Sequence, residues 1–167
     1  ASHAAGAAGN QSNTLTATAV TDAAPALDEF KEALKAALGA MLAFKDDQGE
    51  PILLTASSLV CVVPPTMLFT ATEAINSTVV GNSQNVLQGL ARVVALPWLT
   101  DKSKWYLLKT DGVVRPFIFQ DREPIEFGAM TEDSDEGFRR EKFLFGVRAR
   151  YRMAYGYWQY AVQTDFV

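Results

Sequence analysis

The sequence predicts an α+β fold. Three features point to it: an apolar stripe at helical spacing from Leu27, a short β-branched run closed by Pro64-Pro65, and an eleven-residue alternation in the last third. The patterns run in the order loop, helix, strand, helix, then several strands, and no internal repeat is visible.

The first helix is written by Leu27, Phe30, Leu34, Leu38, Met41 and Leu42, with Ala33 and Ala37 alongside. Asp28, Glu29, Lys31, Glu32 and Lys35 fall mostly on its other face. Pro25 suits a first turn, Asp28 and Glu29 the positive end of the helix dipole, and Lys45 the negative end. Asp46 to Pro51 then supplies turn chemistry. Leu59-Val60-Cys61-Val62-Val63 reads as a buried strand. It feeds a second helix that starts at Pro65 and turns Met67, Leu68, Ala71 and Ile75 inward.

Asn76 to Asn85 is rich in Asn, Ser and Gly and predicts an exposed loop before the apolar stretch Ala91–Leu96. Asp111-Gly112 lies between Trp105–Leu108 and Val113–Phe119, which predicts a hairpin, with Pro116 placing its second strand at an edge or bulge. In the last third, Phe143, Phe145, Val147, Ala149, Tyr151 and Met153 alternate with residues that include Arg148, Arg150 and Arg152. That is the period of a long half-buried strand with three arginines on its solvent or partner face. Tyr155–Tyr160 continues in extended residue types, with Gly156 predicting a bend or bulge.

Composition bounds the function. The 167 residues are 49% hydrophobic and carry 15 Lys and Arg against 19 Asp and Glu, a net charge of −4. An acidic chain of this kind is a poor duplex-binding module, which needs clustered excess Lys and Arg. One cysteine excludes an internal disulfide framework, and no run of about 18 apolar residues predicts a membrane span. Residues 1–24 contain one charged group, Asp22, apart from His3, and little large apolar surface. We therefore expect a flexible arm or loop over 1–24, a folded body over 25–167, and a chain that is a fragment of a longer subunit.

The chemistry-bearing residues do not assemble into a catalytic set. His3, the only histidine, lies in the expected arm with no nucleophile elbow or supported cysteine near it in sequence. Cys61 sits in an apolar strand and reads as a small core residue. One Cys and one His cannot supply the four ligands of a structural zinc site. The acidic stretch Thr131–Gly137 fails as a calcium loop: with Gly137 sixth, Glu132 is first, Ser134 third and Phe143 twelfth. We expect no catalytic residue, no metal and no cofactor.

Arg139, Arg140, Lys142, Arg148, Arg150 and Arg152 place six positive charges within fourteen residues. Arginines alternating with aromatics on a strand could grip single-stranded nucleic acid. The adjacent acids Glu132, Asp133, Asp135 and Glu136 and the negative overall balance favour charge pairing between protein surfaces. Those four acids with Arg148, Arg150 and Arg152 are the candidate subunit-interface residues.

Particular strings add a resemblance. Trp105-Tyr106-Leu107-Leu108 comes first, then Arg115-Pro116-Phe117-Ile118-Phe119-Gln120 with Arg122 and Pro124. Phe143-Leu144-Phe145-Gly146 with Arg150, and Tyr155-Gly156-Tyr157-Trp158-Gln159, follow in order. This series resembles the major head (capsid) subunit of Mu-like phages and prophages, and Leu59–Ile75 resembles another stretch of that family. The resemblance implies the tailed-phage capsid fold of Hong Kong 97 type, with this chain supplying mainly the axial domain and C-terminal strands of the peripheral domain. It also implies a structural protein whose copies form pentamers and hexamers of an icosahedral shell. Such a shell encloses DNA without sequence specificity, is assembled in the bacterial host cytoplasm and resides in the virion. Scaffold, portal or decoration proteins are the implied partners; a membrane is not. The alternatives are an encapsulin-like nanocompartment shell and a single-stranded nucleic-acid binding module.

Overall fold

The stripe from Leu27 forms α1 (Leu27–Leu42) in the computed structural model, which describes residues 2–4, 6–52, 57–80, 83–112, 115–130 and 143–167. Phe30, Ala33, Leu34, Ala37 and Met41 are its buried face. Pro25 precedes the N-cap, Ala26, which has no side-chain oxygen to offer. Glu29 compensates, its carboxylate accepting from the Ala26 N–H at 2.7 Å and the Val20 N–H at 3.0 Å. Lys45 lies beyond the helix, in a bridge to Pro51, so the last turn carries no basic residue.

The chain divides into two units, one of Ala1–Pro116 with Tyr157–Val167 and one of Phe117–Gly156. The first is built on a five-stranded sheet in the order β3 (Thr14–Ala17), β11 (Ala161–Phe166), β8 (Lys104–Lys109), β4 (Leu59–Val63), β7 (Ala91–Ala95). β11 runs parallel to β3 and antiparallel to β8, while β4 runs antiparallel to β8 and parallel to β7. Every second residue of the three central strands is buried: Leu59, Cys61 and Val63; Trp105, Leu107 and Lys109; Val162, Thr164 and Phe166. One face of the sheet is thus closed, and the other is half exposed.

The closing layer is helical. α1 packs against β11 and against α2 (Leu68–Asn76), and α2 packs against β7. A single-turn 3-10 helix over Pro65–Met67 starts α2, as the Pro-Pro signal predicts, and Met67, Ala71, Ala74 and Ile75 are buried. Phe30 is the hub, its ring centre 5.1 Å from Trp105 and 6.3 Å from Phe166. Each such side chain contributes roughly 1.5–3 kcal/mol on leaving water.

Five expectations are corrected. Residues expected as an arm carry β1 (Ser2–Ala4), β2 (Asn10–Ser12) and the sheet strand β3. Asn13 anchors this region, its amide donating to the Ala161 carbonyl at 3.0 Å, and Gly6 adopts φ +49° where a Cβ would collide with the Asp47 carbonyl oxygen. The hairpin across Asp111-Gly112 does not form: β8 finds its partners in β4 and β11, and the chain passes into the second unit. The expected loop from Asn76 to Asn85 begins at the last residue of α2, contains the short pair β5 (Val79–Val80) and β6 (Ser83–Gln84), and ends on a buried Asn85. Gly156 ends the second unit, and Trp158–Tyr160 form a 3-10 turn rather than extended chain.

The fifth is the long alternating strand. It exists as β10 (Leu144–Tyr155), paired antiparallel with β9 (Phe117–Met130), but neither of its faces is buried. A two-stranded ribbon has no second layer of its own, so alternation here records two different surfaces, not inside and outside.

Candidate functional site

The β9–β10 ribbon is the part of the chain whose surface chemistry is unspent. Register pairs Phe117 with Tyr155, Phe119 with Met153, Asp121 with Tyr151, Phe127 with Val147 and Ala129 with Phe145. Opposite residues share a face, so these form one surface, largely aromatic and aliphatic. Ring contacts run along it: Phe117–Tyr155 at 6.1 Å, Phe119–Tyr151 at 5.6 Å and Phe127–Phe145 at 6.1 Å. Phe145 is 66% exposed, Met153 72% and Tyr155 87%.

The other face carries charge. Arg148 donates from Nη2 to Glu126 Oε2 at 2.9 Å, and its Nε stands 3.7 Å from Glu123 Oε2. Arg150 Nη1 reaches Glu123 Oε1 at 3.2 Å. Register shifts lie between Arg148 and Arg150 and between Arg150 and Tyr151, where β9 spends extra residues. These bulges bring Glu123, as well as Glu126, onto the arginine face. Exposed pairs of this kind are worth about 0–1 kcal/mol each, so they set the chemistry of the face more than its stability.

Among the candidate interface residues, the structure brings Arg148 and Arg150 together and sets Arg152 opposite Gln120 on the same face. Glu132, Asp133, Asp135 and Glu136 lie outside the described residues. The acids that meet the arginines here are Glu123 and Glu126, which the sequence reading passed over. Their spacing of three fits neither strand alternation nor a loop motif, and only the bulges reconcile it with pairing.

Groups that could have carried chemistry elsewhere are engaged structurally. His3 stacks on Trp158, ring centres 4.3 Å apart and planes 8° from parallel, with Nε2 3.1 Å from Asn13 Oδ1. Burial in β4 pushes the Cys61 thiol up to about 12, the behaviour of a core residue and not of a nucleophile. Among the described residues no three His, Cys, Asp or Glu side chains converge as metal ligands, and no helix is long and apolar enough to cross a membrane. The groove of about 490 Å³ between β3 and α1 is open, with Asp28, Glu29 and Glu32 along one wall.

Known proteins give a consistent setting. The family model described as Mu-like prophage major head subunit gpT matches residues 10–99 and 100–165. The major capsid protein of Escherichia phage Mu is 44% identical over 59 residues, 35% of this chain and 19% of that protein. The Mu-like prophage FluMu major head subunit of Haemophilus influenzae is 34% identical over 64 residues, 38% of this chain and 21% of that protein. The chain thus spans about a fifth of the length of the curated relatives it matches. Among solved structures, the procapsid of bacteriophage JBD30 aligns with 80% of this chain and 39% of its own, at 25% identity and a TM-score of 0.33.

Proposed function

The chain belongs to the Mu-like prophage major head subunit gpT family, and from that premise we propose that it is part of a shell-forming capsid subunit. The observation that carries this reading is the family match across both 10–99 and 100–165, which takes in the five-stranded unit and the ribbon alike. In this reading the five-stranded unit is the axial domain of a Hong Kong 97-type subunit and the β9–β10 ribbon is its share of the peripheral domain. Copies close into rings of five and six because one heterologous pair of patches, repeated by rotation, satisfies every subunit. Weak contacts then sum, since each neighbour raises the effective concentration of the next. The shell encloses DNA without reading it, in the virion, after assembly in the host cytoplasm with scaffold, portal or decoration proteins. The role is structural, not enzymatic.

We assign Glu132, Asp133, Asp135, Glu136, Arg148, Arg150 and Arg152 to contacts between subunits. Arg148 and Arg150 hold cis partners in the single chain, so assembly would extend or exchange these pairs with a neighbour. Cis pairing also lowers the appeal of the single-strand nucleic-acid alternative, because a phosphate would first have to displace a carboxylate. The test is electron microscopy of the full-length subunit carrying Arg148→Glu, Arg150→Glu and Arg152→Glu. A sharp fall in shell yield and in salt tolerance is expected; shells of ordinary yield and salt tolerance would remove these residues from the interface.

A further inference from the structure

We propose that the aromatic face of the β9–β10 ribbon packs on the same face of a second copy, as an isologous two-fold contact centred on Ala149. This rests on the shell-subunit reading for one point only, that identical neighbours are at hand. The ribbon is a surface that a lone chain leaves incomplete. Two strands without a covering layer are marginal in water, and on the arginine face Arg148 and Arg150 already have carboxylate partners in cis. Among the described residues, nothing covers the apolar face.

Its size matches the task. Large apolar and aromatic side chains offer roughly 150–250 Å² each. Those on this face stand between 54% and 87% exposed, so together they present on the order of 1,000 Å². That exceeds the roughly 800 Å² per partner of a stable protein interface, and it exceeds the few hundred Å² that a monomer ordinarily leaves open.

Its layout is self-complementary. Alternation between Val147 and Tyr151, both on the apolar face, sets Ala149 there too, opposite the bulged part of β9 and midway between Phe145–Val147 and Tyr151–Met153. A two-fold axis through this small residue stacks the Phe127–Phe145 pair of one copy on the Phe119–Tyr151 pair of its twin, twice. The result is a four-stranded sandwich, the second layer that each ribbon lacks, with the Asp121 carboxylates of the two copies left at its solvent-reached margin.

Cysteine cross-linking of the 167-residue chain reads this directly. Cys61, the only native thiol, is buried and held as the unreactive acid form, so an introduced cysteine reports alone. Ala149→Cys should form a disulfide-linked homodimer under mild oxidation, at least tenfold faster than Arg152→Cys on the opposite face. Adding Phe119→Glu and Met153→Glu to Ala149→Cys should slow it at least tenfold while the circular dichroism of the five-stranded unit is unchanged. Equal cross-linking from the two faces, or a strictly monomeric chain in sedimentation up to about 100 μM, would overturn the proposal. So would exchange protection of residues 145–155 in a monomeric full-length subunit, which would assign the cover to another part of the same subunit. Shells that assemble normally without the cross-link would leave the shell reading standing and remove this one.

Discussion

Lys109 is a charged side chain inside the sheet layer, and its environment shows how one residue couples a strand end to pH. Its side chain is 6% exposed and its ammonium lies 2.6 Å from Asp111 Oδ1, while Ser57 donates to Asp111 Oδ2 at 2.8 Å. Hydrogen bonds from Lys109 and then Ser57 hold the Asp111 carboxyl below its ordinary value of 3.8. A carboxyl depressed in the folded state stabilises it fully above the unfolded value and loses that contribution as pH falls through the folded one. The native chain should therefore lose stability on acidification below about pH 4. Asp111→Asn should melt lower than the native chain at pH 7, with the gap closing on acidification. Thermal melts from pH 7 to pH 2 measure it, and a constant gap would show that Asp111 acts through packing instead of charge. The nearby Ser58 has a φ of +52°, unusual for a residue with a Cβ, and its carbonyl accepts both the Thr110 N–H at 3.2 Å and the Thr110 hydroxyl at 2.9 Å. The backbone strain at the start of β4 is offset by these two bonds.

Among the elements, α2 depends on a side chain that no periodicity announces. Asn85 donates to the carbonyls of Ala74 at 2.8 Å and Ser77 at 2.9 Å, and its Oδ1 accepts from the Leu87 N–H at 3.1 Å. It satisfies the open end of the helix from inside the protein. Asn85→Ala would strand these groups where water cannot easily reach them, at a cost of about 2–3 kcal/mol. Urea unfolding with an unchanged m value checks the figure; a loss under about 0.5 kcal/mol would mean that solvent replaces the amide. Asn85 also marks what a linear reading can recover. α1, β4 and the Pro-started α2 were legible because burial on one face imposes a period on consecutive residues. β3 was not, because Thr14-Leu15-Thr16-Ala17 is too short and too small to carry a period, and it is held by Asn13 and by parallel pairing with Gln163–Phe166. The Asp111-Gly112 turn misled for a related reason: turn chemistry is local, whereas strand partners are chosen by the whole sheet. The ribbon's alternation was readable, but alternation states that two faces differ and is silent on whether either is covered.

For the whole molecule, the division of labour between units is sharp. No described residue of Phe117–Gly156 belongs to the buried hydrophobic cluster, which runs from Ala19 to Phe166 within the other unit. Replacing Phe117–Gly156 by a short Gly-Ser turn should leave that unit folded, with its thermal midpoint within a few degrees and the near-ultraviolet signal of buried Trp105 retained. Collapse of that signal would show that the ribbon is needed to close the sheet. The order of the sheet also sets when it can be finished. β11 occupies an interior position, flanked by β3 from the beginning of the described chain and β8 from its second half, yet it is the last of the five strands in sequence. Until residues 161–166 emerge from the ribosome, β3 lacks its β11 partner and that rim of β8 stays bare, so closure of this sheet proceeds through long-range pairing. A nascent polypeptide stalled or cut short before β11 displays an open strand rim, the kind of edge that invites pairing with another chain.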